Sequence, residues 1–135
     1  MKTLSVLEAK RFGVFSCQSH TTMGEAARQM ADRDISCLVV VDDDGYMEGI
    51  ITRTDLMRAC VETEAWRETP VNDFMNRAVV TVSTEDTLDT VMRILVSKRI
   101  HRVVAIQEEE GRPWPMAVLS AADIVYHMMR ASKAA

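Results

Sequence analysis

Cysteine is scarce in this chain, and what there is has no pattern. The three cysteines, Cys17, Cys37 and Cys60, are odd in number and none stands in a C-x-x-C spacing. That excludes a disulfide framework and a zinc finger as organising features. They read as reduced thiols packed in the interior of a cytosolic protein. Long apolar runs are also missing. No segment approaches the ~20 apolar residues of a membrane helix, and Glu8 and Lys10 break the N-terminal run before it reaches the length of a secretory h-region. There is no surplus of positive charge either: 16 Lys+Arg stand against 20 Asp+Glu, for a net charge of -4. A general nucleic-acid binder needs a basic face to displace counterions, so that class is disfavoured. The chain lacks G-x-S-x-G, a P-loop and any cluster of metal-ligating side chains, so no catalytic residue, no metal and no enzymatic activity are assigned. A soluble, cytoplasmic protein is expected.

What is present is apolar material for a core: 47% of the 135 residues are hydrophobic, although aromatics make up only 5%. Ten methionines suit adaptable apolar surfaces, including contacts between subunits.

An internal duplication organises the chain. A shift of 65 residues superposes Thr22 on Thr87, Arg28 on Arg93, Ile35 on Ile100 and Val39 on Val104. Three extra residues enter around Glu108-Glu109-Glu110-Gly111, after which a shift of 68 matches Ile50 to Val118, Thr52 to Ser120 and Asp55 to Asp123. Residues 1–62 form the first copy, 63–70 a polar linker and 71–135 the second copy. Each copy reads as strand, helix, strand, strand, helix. Met23, Ala26, Ala27 and Met30 line one helical face, with Thr22 and Glu25 as a capping box. Cys37 to Val41 is a buried strand, Asp42 to Gly45 a turn, Tyr46 to Ile51 the returning strand and Thr52 to Cys60 a helix. Copy two follows with Val79 to Val82, Thr87 to Lys98, Arg102 to Ile106, Pro115 to Leu119 and Ser120 to Arg130. The fold class is α+β. Neither copy buries its sheet well alone, so the two are expected to pack with pseudo-two-fold symmetry.

These stretches resemble a CBS-domain pair, or Bateman module. The resemblance rests on Val71-Asn72-Asp73-Phe74-Met75, Ile35 to Val41, Gly49 to Leu56 and Ile100 to Val104, and it runs from about Val6 to Ala131. It implies a stand-alone regulatory pair that binds an adenosine-containing ligand between the repeats: AMP, ADP, ATP or S-adenosylmethionine. A ligand-free structural dimerisation module is the alternative. No further cofactor is implied, and an effector protein would read the ligand state.

Two constellations carry the expected chemistry. Thr52-Arg53-Thr54-Asp55 and Ser120-Ala121-Ala122-Asp123 each sit where a strand ends and a helix begins. A hydroxyl at the N-cap with an acid three residues on is itself a helix-start pattern. The same types can serve a ribose diol and a phosphate, and the resemblance favours that use. His101-Arg102 opens an apolar strand and resembles the pair that contacts nucleotide phosphate in the γ subunit of the AMP-activated kinase, Arg supplying a multi-donor fork. Copy one has Ser36-Cys37 there and supplies no cation, so the sites are expected to be unequal. The resemblance implies a stronger site of His101, Arg102, Ser120, Asp123, Val118, Ile100, Ile35, Phe15 and Lys10. It implies a weaker one of Thr52, Asp55, Ile50, Ser36 and Val80. His20 and His127 read as surface residues, Glu108-Glu109-Glu110 as a solvated hairpin tip, and Trp114 as a brace for that loop. Leu56, Met57 and Cys60, with Ile124, Val125, Met128 and Met129, predict a helical homodimer face.

Overall fold

Every α-helix begins where the sequence places a hydroxyl. A computed structural model describes the backbone of residues 1–134. Its helices are α1 (Val6–Ala9), α2 (Met23–Arg33), α3 (Arg53–Glu62), α4 (Leu88–Lys98) and α5 (Ala121–Ala134). Ser5, Thr22, Thr52 and Thr87 accept a backbone N–H of the first turn, and Ser120 does the same for α5. Such caps satisfy donors that have no partner within the helix. The expected box at Thr22 forms only by half: Thr22 accepts from the Glu25 amide at 3.2 Å, while the Glu25 carboxylate takes Arg28 at 2.6 Å.

The strands are β1 (Ser16–Gln18), β2 (Cys37–Val41), β3 (Met47–Thr52), β4 (Thr81–Ser83), β5 (Arg102–Glu109) and β6 (Arg112–Ser120). They form two three-stranded sheets, β1-β2-β3 and β4-β5-β6. In each, the first pair is parallel and the second antiparallel, so a helix crosses over between the parallel strands. The duplication extends to irregularities. Bulges fall between Val40 and Val41 and between Ala105 and Ile106, at matching positions. Asp34 and Arg99, also matching, both end a helix in the left-handed conformation. Ile35 and Ile100 then donate back to Met30 O and Leu95 O, which is the Schellman closure.

The chain divides into two compact units, one of Met1–Val14 with the residues from Val80 onward, the other of Phe15–Val79. The leading segment of each repeat thus belongs with the sheet of the other. In the first unit Val6 is fully buried among Leu88, Val91 and Leu119, and its N–H reaches Asp86 O at 2.7 Å. In the second, Val71 is fully buried with Met23, Leu38 and Ile51, and its N–H reaches Thr21 O at 2.8 Å.

Several local expectations are corrected. The second hairpin runs to Glu109 and Arg112, so Glu108 and Glu109 are strand residues and Trp114 pairs with Gln107 inside the ladder. Glu110 and Gly111 alone make the tip, both at positive φ, as a two-residue turn between twisted strands requires. Cys17 is buried and Cys37 half-buried, but Cys60 is exposed on α3. Ile124 enters the first core and Leu56 packs on the second. The residues left outward on the two closing helices are Met57 and Val61, and Val125, Met128 and Met129. His127 is half-buried with its Nε2 2.7 Å from Ala9 O. No helix among the described residues is long and apolar enough to cross a membrane.

Two outcomes follow from the packing. A Cβ on Gly49 would meet Asn76 O at 2.8 Å and Met75 Sδ at 3.1 Å, whereas Gly13 has nothing within 4 Å. Gly49→Ala is expected to cost about 1–3 kcal/mol in urea unfolding, and Gly13→Ala to be nearly neutral. Burial also pushes the Cys17 thiol up to about 11. The unfolded chain therefore releases this proton first, and stability falls as pH rises from about 9 to 11. Between pH 8 and pH 10.5 the wild type should lose more stability than Cys17→Ala; equal losses would remove Cys17 as the cause.

Candidate functional site

The end of β6 and the start of α5 bring Ser120 and Asp123 together. Asp123 Oδ2 accepts from the Ser120 amide at 2.8 Å and from its hydroxyl at 3.1 Å, and the Asp123 amide donates back to Ser120 Oγ at 3.4 Å. The helix-start pattern is thus fully formed. It uses one carboxylate oxygen. The other, Oδ1, accepts from Arg11 Nη1 at 3.3 Å, although Asp123 is only 8% exposed.

Strand pairing brings the expected cation alongside. Arg102 is the register partner of Ser120 on β5, and His101 O accepts from the Ala121 amide at 2.9 Å. Arg102 is half-buried and His101 exposed. The Ser120 hydroxyl and Asp123 carboxylate are thus joined at the end of β6, with Arg102 opposite Ser120 in the register, residue types that suit a diol beside an anion. Val118, Val80 and Ile100 belong to the same unit. Val118 pairs with Val104, Val80 O accepts from Val104 N, and Ile100 and Val80 pack on the core.

Phe15 and Ile35 belong to the second unit, where Arg33 lies over the Phe15 ring at 4.6 Å and Ile35 packs on the core. Lys10 lines a cleft of about 450 Å³ with Arg11, Tyr126, His127 and Arg130, and neither Ser120 nor His101 reaches it. A larger cleft of about 680 Å³ lies at the far end of the same sheet. Glu85, Asp86, Glu108 and Glu109 line it and would repel phosphate.

The second unit repeats the arrangement with different cations. Asp55 Oδ2 takes the Thr52 amide and hydroxyl, each at 2.9 Å, and Oδ1 takes Arg58 Nη2 at 3.1 Å. Ser36 O accepts from the Arg53 amide, and Cys37 pairs with Thr52 where the other sheet has Arg102 with Ser120. Ile50 pairs with Val39 in the sheet and Val80 is in the other unit. Arg53 does bring a cation near Ser36, but its guanidinium is paired with Asp34 at 3.0 Å.

Sequence reasoning missed the two arginines on the carboxylates. Arg58 had a signal, since three residues along a helix is within side-chain reach of Asp55. Arg11, 112 residues from Asp123, had none. Among the described residues no group of three or more His, Cys, Asp or Glu side chains gathers as a metal site.

Comparison with known proteins fits these units. The CBS-domain-containing protein ATU1752 from Agrobacterium tumefaciens superposes with a TM-score of 0.79 at 27% identity, over 93% of this chain and 99% of that one. The CBS domain pair of protein MJ0100, solved in complex with 5-methylthioadenosine and S-adenosyl-L-methionine, superposes with a TM-score of 0.81 at 21% identity, over 93% of this chain and 96% of that one, a likeness of fold. Among curated sequences, the γ-3 subunit of 5'-AMP-activated protein kinase from Bos taurus is 36% identical over 53 residues, 39% of this chain and 11% of that one. An uncharacterized Methanocaldococcus jannaschii protein, MJ1404, is 25% identical over 109 residues, 81% of this chain and 25% of that one. This chain thus spans a small part of those two relatives. The CBS-domain profile matches residues 9–62 and 71–130. Two matches in tandem, one on each repeat, make this chain a CBS-domain pair.

Proposed function

We propose that this CBS pair is a regulatory sensor that binds an adenosine-containing ligand, AMP, ADP, ATP or S-adenosylmethionine, and passes its state to a partner protein. The observation that carries the reading is the bonded Ser120–Asp123 pair with Arg102 opposite Ser120 in the strand register. Asp123 takes the ribose diol there, and Arg102 with His101 takes phosphate. The bound adenosine derivatives of the MJ0100 pair support this ligand class. The Ser36-Cys37 counterpart supplies no cation in the register position of Arg102, which makes the Thr52–Asp55 end the weaker of the two. Binding stabilises whichever arrangement of the protein holds the ligand better, and that preference is the signal.

Calorimetric titration tests the assignment. Losing a charge-assisted contact costs about 1.5–3 kcal/mol, so Arg102→Ala should weaken AMP by roughly one to two decades. Asp123→Ala should weaken adenosine as well. If Asp55→Ala abolishes binding while Arg102→Ala leaves it intact, the edge has been assigned to the wrong repeat.

A homodimer belongs to the same proposal. Met57 and Val125 occupy matching positions in the repeats, as do Val61 and Met129, and all four are more than half exposed. Met128, on the same helix as Val125 and Met129, is 47% exposed. A second copy would cover these side chains, and Met128→Glu would then bury an unpaired carboxylate. Sedimentation should show the variant shifted toward monomer; an unchanged profile places any interface elsewhere. If no nucleotide binds at millimolar concentration while the dimer persists, the structural dimerisation module is the better reading.

A further inference from the structure

We infer that Arg11 sets the specificity of the Ser120–Asp123 edge, disfavouring unphosphorylated ribonucleosides and admitting phosphorylated ones; this deepens the nucleotide reading above and rests on it. Asp123 Oδ2 is already committed to the Ser120 amide and hydroxyl. A ribose diol must therefore use Oδ1, where Arg11 Nη1 stands at 3.3 Å. The guanidinium has to leave before the diol can bind.

The two repeats differ in how firmly this oxygen is held. Arg58 reaches Asp55 from the same helix at 3.1 Å and also donates to Phe74 O at 3.0 Å. Its Nη2 makes both bonds. Arg11 makes a single, longer bond from a segment outside any helix or strand. Its guanidinium also lies 4.0 Å from the Tyr126 ring centroid and 5.0 Å from that of Phe12. Those contacts give it an anchorage independent of Asp123. The hold on Asp123, a single and longer bond, is the easier of the two to exchange.

Displacement has an electrostatic cost that depends on the ligand. Away from Asp123, Arg11 loses its counter-charge in a cleft that also carries Lys10 and Arg130. Glu8 is the one acid among the lining residues, and its Oε1 accepts from the Ser5 amide. A neutral nucleoside supplies nothing to offset the freed cation. A phosphorylated nucleoside brings an anion for it.

The experiment is calorimetric titration of adenosine and AMP into the wild type, Arg11→Ala, Arg11→Gln and Asp123→Ala, with thermal melts to verify folding. Breaking a part-exposed ion pair changes affinity by a few-fold, so adenosine should bind about two- to fivefold tighter to both Arg11 variants. AMP should bind more weakly, so that the ratio of the adenosine Kd to the AMP Kd falls by about fivefold or more. A smaller fall in both variants overturns the role of Arg11. Adenosine binding that Asp123→Ala leaves unchanged, or no binding of either ligand to the wild type, overturns the nucleotide assignment together with it. Adenosine weakened by Asp123→Ala, with the ratio intact in both Arg11 variants, removes Arg11 alone.

Discussion

Val6 and Val71 close the cores on which everything else is mounted. Each is a fully buried side chain in a short leading segment, and each segment is hydrogen-bonded beside the helix start of the repeat that does not follow it: Ser5 bridges Thr87, and Pro70 bridges Thr22. Burying one valine is worth about 1.5–3 kcal/mol, a large fraction of a small domain's stability. The same exchange brings residues 1–14 into the unit of the second repeat. Arg11 reaches Asp123 for that reason and no other. An apolar anchor chosen for packing thus decides which cation stands on which carboxylate.

The cap and the proposed ligand site would use the same residues without conflict, because a carboxylate has two oxygens. In both repeats Oδ2 closes the capping box, tying the helix start to the last strand residue. Oδ1 is left to meet an arginine. The pattern legible in sequence, a hydroxyl followed three residues later by an acid, therefore describes both roles. What separates the repeats lies outside it, in Arg58 and Tyr126 at matching positions of the two closing helices. Where one repeat has its own guanidinium, the other has a ring over which a distant guanidinium stacks.

Most of the architecture was legible because it repeats. The 65-residue offset, the Met23–Met30 face and the apolar Cys37–Val41 run led to the β-α-β-β-α order that the sheets display. Less visible were features that short-range chemistry does not encode. Asp34 and Arg99 end helices at positive φ without glycine, so the usual C-cap signal was missing. The acidic triplet read as a loop, yet Glu108 and Glu109 pair across the hairpin because Glu110-Gly111 alone can make the turn. Cys60 looked interior by residue type, but the period of α3 points it outward. Of the expected site residues, Ser120 and Asp123 are bonded through local sequence, and Arg102 stands opposite Ser120 through register. Lys10, just past the end of α1 at Ala9, lines the cleft with Arg11 and Arg130.

The exchanged leading segments also bear on ancestry. A single ancestral copy would have carried an arm whose valine the sheet of a partner copy receives, and a gap where its own sheet awaited such an arm. Two separate copies could fill both vacancies only by trading arms. Gene fusion would have made that trade intramolecular, replacing a concentration-dependent association with a covalent one. It would also have freed the two arms to diverge. The two arms differ accordingly: one delivers Arg11 to a carboxylate, while the other presents the Phe74 carbonyl to Arg58.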